Sequence, residues 1–422
     1  MTDDVALLLR RAGFGPTAAE LTAARQTGYA GTLAGLLDPP GPDVGAGRAP
    51  VPDLGPDPYA AEPNPSAARR AAADRQRARQ TELISRWWLD RMTVANQQAL
   101  EKLHFFWHGH WATSIDKVKS PQLMLRQHLT MRTARDIRDM AHRMIVDPAL
   151  VYWLDGQLNT RAAPNENLGR ELLELFLLGI GRYGEADVKQ AGRALTGWQL
   201  DRRNERLVFR RELHDGGVKT ILGATGRFDA SSLVTLVLDQ PGCPGFIASR
   251  MWFRYASSAQ PLPAGVRDAM VAAFPSPTAM LRAMLASPAF AATRGTMAKQ
   301  PVEWLVGAMR QLGLRPSAMP PETFTSVLQH MAGLGQRPFR PPSVGGWTSG
   351  AAWLTSAAAQ LRLAVAGKLA GLVETRGLTP EQVAGLLCVD GWSDRTLAVL
   401  RTASNPRLML ALGLVSPEYV VT

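Results

Sequence analysis

Along most of the chain, apolar residues recur at three- and four-residue intervals and are punctuated by Pro and Gly, which predicts helices almost throughout. Residues 5–37 read as two short helices around Gly13, Phe14, Gly15, Pro16 and Thr17, with Thr17 capping the second and Glu20 completing a capping box. Residues 39–65 lose the periodicity and are rich in Pro, Gly and Asp, as expected of a long surface excursion or linker. An arginine-heavy stretch, 69–79, then runs into Trp87 and Trp88 as one long helix with a wet start and a buried end. Helical patterns return at 121–145, 147–153, 187–195, 229–256 and 276–315, and again after a rigid Pro/Gly loop at 338–347. Residues 207–209 and 220–222 form the convincing strand pair, predicted as a hairpin around His214, Asp215, Gly216 and Gly217. The expected fold is mainly α, a single large multi-helix domain with a small β-hairpin excursion at about 205–223. Its parts are an N-terminal helical segment (1–38), the excursion or linker (39–66) and the main helical domain (67–422).

Two segments carry more charge than their apolar surroundings explain. Residues 101–111 read EKLHFFWHGHW, and a helix there sets Glu101, His104 and His108 on one stripe. Gly109 is the expected helix stop, so that His110 swings back towards the same stripe. Residues 164–178 read PNENLGRELLELFLL, a helix starting at Pro164 and Asn165, on which Asn167, Glu171 and Glu174 share a face. Glu166 and Arg170 pair one turn apart beside them. The second half of this helix is apolar in nearly every direction, so Glu171 and Glu174 are expected to point inward, where each needs a partner.

Composition narrows the class. A chain of 422 residues that is 46% hydrophobic buries a large core. The net charge of +11 raises the question of a nucleic-acid partner, but no RNA- or DNA-binding motif accompanies it, and none is expected. Two cysteines in unrelated contexts, Cys243 and Cys388, support neither a disulfide framework nor a cysteine metal site. No apolar stretch is long enough to span a membrane. The start of the chain shows no export signal, so a cytoplasmic, soluble protein is expected as the sequence stands, unless a signal has been trimmed.

The chemistry open to the two segments is of three kinds. His108 and His110, with Glu101 and His104, could join the glutamates in holding a divalent metal, Zn, Mn or Fe. Alternatively, one carboxyl kept protonated by burial and one kept ionised by an arginine would supply metal-free acid/base catalysis. The third possibility is a core salt-bridge network, Glu171 and Glu174 meeting Arg170, Arg193 and protonated histidine, that only fixes packing. Trp107, Trp111, Trp198 and Trp347 are candidates for stacking on sugar rings, though for any one of them ordinary core packing is the first expectation. His214 and Asp215, with Lys219 nearby, could add an acid or base, but Asp215 before Gly216 is explained as well by turn geometry. A nucleophile elbow, a phosphate-cradling loop and a dinucleotide fingerprint are all missing from the sequence.

An ordered set of signals resembles a known family over nearly the whole length. The set comprises residues 8–17 (LLRRAGFGPT), Glu101 with Phe106 to His110, and Asn165 to Asn167 with Arg170 to Glu174. It continues with 194–198 (ALTGW), His214 and Asp215 with Lys219, and 341–347 (PPSVGGW). The chain resembles the bacterial domain-of-unknown-function 1800 family, in whose pattern position 104 is usually apolar, so that His104 is a local addition. The resemblance implies work on a cell-surface or extracellular polymer, because members are often exported and commonly neighbour sulfatase-like or phosphatase-like proteins. The expected function is therefore that of an enzyme acting on a small-molecule or glycan substrate by hydrolysis or group transfer. Glu171, Glu174, Glu166, His214 and Asp215 would act in catalysis, with Arg170, Asn167, the four tryptophans and Lys219 binding substrate. The alternatives are an oxidative metalloenzyme using the same ligands and a non-catalytic protein that binds a polysaccharide or a partner protein.

Overall fold

A computed structural model describes residues 3–60 and 65–422; residues 1–2 and 61–64, the latter inside the predicted excursion, lie outside the described residues. The described chain is 61% helical, with 23 helices and two small two-stranded sheets. Helix starts follow local chemistry. Thr17 and Glu20 form the expected box, the Thr17 N–H donating to Glu20 Oε2 at 2.8 Å. Asp136, Asp147, Asp229 and Ser120 each accept from a backbone N–H of the first turn they open.

The arginine-rich stretch is the 28-residue helix Ala67–Val94, exposed at its start and buried along much of its length after Gln80. The Pro/Gly-rich excursion is pinned along it. Asp43 accepts from the N–H groups of Asn96 and Gln97, each at 2.9 Å, while Ala49 and Leu54 give their carbonyls to Trp87 and Gln80. Gly45 lies so close to the end of this helix that a Cβ there would sit 2.1 Å from the Val94 carbonyl oxygen, which excludes any larger residue.

The strands pair differently from expectation. Strand Arg206–Phe209 pairs antiparallel with Trp198–Asp201, and Lys219–Ile221 pairs with Ala224–Gly226. The predicted partners thus belong to two separate hairpins, and His214 to Gly217 lie in the connection between them. The physical reason is that each strand has an adjacent partner only a few residues away, which closes a loop at less entropic cost than the longer pairing.

The apolar interior has two large clusters. One gathers Trp107, Trp111, Leu172, Phe176, Trp252 and Tyr255; the other gathers Trp88, Phe105, Trp304, Phe339, Trp347 and Trp353. Helix Gln98–His110 contributes to both, Phe106 and Trp107 to the first and Phe105 to the second, so it is packed on opposite faces. Among the described residues no helix is long and apolar enough to cross a membrane.

Candidate functional site

The histidine helix runs one residue past its predicted stop, through Gly109 to His110, with Trp111 as its C-cap. Gly109 is used for close approach instead. Gly346 of the Pro/Gly loop, at φ 82°, packs against its carbonyl, and the Trp347 ring lies over it. Glu101 and His108 do share a stripe, since Trp88 donates from Nε1 to Glu101 Oε1 at 3.1 Å and packs edge-on against the His108 ring.

What the stripe faces was not foreseen. Glu101 meets Arg132, which grips both carboxylate oxygens, and Arg91 at 3.2 Å. Burial opposes ionisation of Glu101, but the charge and hydrogen bonds of Arg132, with His104 and Arg91 in support, hold its carboxyl at about 2. Three of the imidazoles have one ring nitrogen engaged. The Phe339 N–H donates to His108 Nε2 at 3.2 Å, and Arg132 Nε donates to His128 Nε2 at 2.7 Å. His110 Nε2 lies 2.8 Å from the Phe176 carbonyl and must donate to it. Burial pushes His108 and His110 down to about 3, so both rings are neutral at physiological pH.

The metal expectation finds no converging ligand set in this geometry. Among the described residues no three His, Cys, Asp or Glu side chains converge as a metal site. Glu101 is spent on two guanidinium groups, and His108 and His110 each have Nε2 engaged, by the Phe339 N–H and the Phe176 carbonyl, while the Nδ1 atoms of His104, His108 and His110 have no protein partner and do not converge with a third ligand. The two segments meet all the same, through the His110 contact to Phe176 and the Trp111 and Phe176 rings at 4.6 Å.

The glutamate segment is not one regular helix. Residues Asn167–Glu171 are α-helical and Leu172–Leu177 form a π-helix, so the change of winding falls between Glu171 and Glu174. The leucines and Phe176 go inward, but Glu171 and Glu174 are only half-buried, not directed into the core, because the widened turn leaves them at its edge. Tyr183, which the sequence reading missed, donates from its hydroxyl to Glu174 Oε2 at 2.6 Å. Partial burial and then the neighbouring Glu174 charge push Glu171 up, with Arg170 opposing; burial and the bond to Glu174 push Tyr183 to about 12. Arg170 bridges Glu166 at 3.3 Å and Glu185 at 2.8 Å, and Asn167 is exposed in the first turn.

The hairpin residues form their own group. Asp215 pairs with Arg193 at 2.7 Å, and its N–H donates to Thr196, whose carbonyl lies 3.0 Å from His214 Nδ1. Arg193 is therefore taken up here and does not serve the glutamates. Lys219 is buried, its ammonium donating to the Asp215 and Gly217 carbonyls, which makes it a clamp on the turn and not a group free for substrate. Trp107, Trp111 and Trp347 are buried in the clusters, so in this conformation they offer no open face to a sugar; Trp198 is half-buried against Phe209.

A further polar group lies on the histidine helix, away from the predicted set. Lys102 pairs with Glu303 at 3.1 Å, both nearly fully buried, beside Tyr255, Arg254, Gln300 and Trp347 around a cavity. A lysine between Glu101 and Leu103 in so apolar a helix was a legible signal, of the same kind as the histidines.

Fold and site together define a mainly helical protein with an arginine-neutralised acid in its core and a half-buried carboxylate pair where an α-helix becomes a π-helix. The chain belongs to the DUF1800 family, described as a protein of unknown function, whose model matches residues 7–421. No curated protein and no solved structure matches it.

Proposed function

We propose that the protein is an acid/base enzyme whose catalytic pair is Glu171 and Glu174, acting by hydrolysis or group transfer on a polar, carbohydrate-like substrate. The observation that carries the reading is the unequal treatment of the two carboxyls. Glu171 is pushed towards its protonated form by burial and by Glu174, while Glu174 receives a short hydrogen bond from Tyr183. A carboxyl biased towards its protonated form, set beside a second carboxyl, is the pairing that cleavage of a glycosidic bond uses. Glu171 delivers its proton to the leaving oxygen as the C–O bond breaks, and Glu174 takes the proton of the attacking water or acceptor hydroxyl. A π-helical turn is often found at functional sites, where it re-aims side chains that a regular helix would stack. Arg170, with Glu166 and Glu185, fixes one side of the group.

The test is a screen of the purified protein on nitrophenyl glycosides and on bacterial surface polysaccharides, scored by release of nitrophenol or reducing ends. Activity should fall by about 10² to 10⁴ in Glu171→Gln and in Glu174→Gln with the fold kept. An activity that both variants retain would remove the assignment. A second reading, a non-catalytic binding or assembly protein, is favoured by the Glu101 network, whose polar groups are spent on holding three helices together. A screen without turnover, with binding of the same polysaccharides intact in both variants, selects it. The oxidative metalloenzyme reading loses its support with the ligand set described above.

A further inference from the structure

The cavity beside Lys102 is built from donors. It is bounded by Lys102 on the histidine helix, Arg254 and Tyr255 at the end of helix Gly242–Tyr255, Gln300 and Glu303 at the start of helix Pro301–Gln311, and Trp347. Its unfilled space, mouth included, is about 300 Å³, of which about 20 Å³ can centre a water-sized body. Phe105 supplies an aromatic wall, with the Trp347 ring stacked on it at 5.8 Å.

The carboxylate of this group and the amide oxygen of Gln300 are already satisfied, the latter by the Gln336 amide at 2.8 Å. Glu303 Oε1 receives Lys102 at 3.1 Å and the Gln300 amide at 3.0 Å, and Oε2 receives the Gln300 backbone N–H at 3.1 Å. Two donors are left over. The Tyr255 hydroxyl and the Trp347 indole N–H are both buried, and neither has a hydrogen-bond partner in the protein. Lys102 has spent one of three N–H groups on Glu303. Arg254 gives its terminal nitrogens to the Trp347 and Thr348 carbonyls, which places its charge at the rim.

Charge is also out of balance. Arg11, Lys102, Lys299 and Arg254 are all held below their ordinary values by burial, and Glu303 is the carboxylate whose charge offsets this for each of them. Arg11 is occupied by backbone carbonyls and Lys299 by the Tyr419 ring at 3.5 Å, so Lys102 and Arg254 are the cations that face the cavity. Buried donors and buried positive charge without acceptors are both unfavourable, and an acceptor-only anion relieves both at once.

We propose that this cavity is a binding site for a small carboxylate, taken by Lys102, Arg254, the Tyr255 hydroxyl and the Trp347 indole N–H. The narrow space and flat aromatic wall favour a planar carboxylate over a tetrahedral oxyanion. The site needs nothing from the Glu171 pair and stands whether or not that pair is catalytic.

The experiment is titration of the full-length protein with formate and acetate, read by the thermal midpoint and by calorimetry, with chloride added to keep ionic strength constant. Saturable stabilisation is expected. Tyr255→Phe should weaken formate binding by about tenfold or more, since hydrogen bonds to charged groups are the strong ones. The same variant should leave the midpoint without carboxylate unchanged or higher, because it deletes a hydroxyl that no protein group satisfies. Lys102→Met should abolish binding; if it does not fold, Tyr255→Phe decides alone. The proposal is overturned by a midpoint indifferent to both acids, by saturation with phosphate or sulfate in place of carboxylate, or by Tyr255→Phe losing stability at unchanged affinity. That last result would mark the cavity as a water site only.

Discussion

Glu101 and Glu171 both sit on helices crowded with leucine and aromatic residues, and the protein pushes their carboxyls in opposite directions. Glu101 is the more deeply buried, yet it is held at about 2, because Arg132 reaches it from a helix some thirty residues away and Arg91 joins from the preceding one. Glu171 is only half-buried and is pushed up, because its near neighbour is another glutamate. Depth of burial alone would have ranked them the other way. The partner that arrives decides whether a carboxyl in apolar surroundings becomes a packing device or a proton store.

The contrast can be broken most forcefully with acid. His108 and His110 titrate near 6.5 in an unfolded chain and near 3 when folded, so each contributes stability above 6.5 that is lost as pH falls from there towards 3. That amounts to something on the order of 4 kcal/mol per ring. Glu101, lowered from 4.5 to about 2, adds its own loss over the lower part of that range. Urea unfolding midpoints should therefore drop steeply between pH 6.5 and 4; a flat profile there would mean the histidine region opens to water.

Removing the charge of Glu101 comes next. Glu101→Gln leaves Arg132 and Arg91 without their counter-charge, and a cost of about 3–5 kcal/mol is expected in equilibrium unfolding. If the loss is below about 1 kcal/mol, the two glutamates are energetically alike and the comparison fails. Tyr183→Phe deletes one hydrogen bond to Glu174, at a cost of about 1 kcal/mol. The smallest effect on stability belongs to Glu171→Gln, within about 0.5 kcal/mol in either direction, because the nearby Arg170 is already paired with Glu166 and Glu185 and is not stranded. Paired with the loss of turnover expected under the proposed function, that near-zero value would separate a proton store from a packing device.

Much was legible from the chain alone. The helices, the Thr17 box, the wet-to-buried gradient of the arginine helix and the burial of the histidine stripe all follow from local pattern, and local pattern is set by neighbours three and four residues apart. The strand pairing differs from expectation because both true partners are short and adjacent, and strands of three or four residues carry almost no alternation to read.

Sequence by itself determined that ionisable groups at 101, 104, 108, 110, 171 and 174 lie in apolar company and that most of the chain is helical, since both are properties of spacing and composition. Only tertiary structure decided whom they meet. Arg132 goes to Glu101 and Tyr183 to Glu174, Lys102 goes to Glu303, and the Phe339 N–H goes to His108 Nε2. Those choices rest on contacts between segments far apart in the chain, and on a local switch to π winding that turns two glutamates out of the core and leaves their leucines inside.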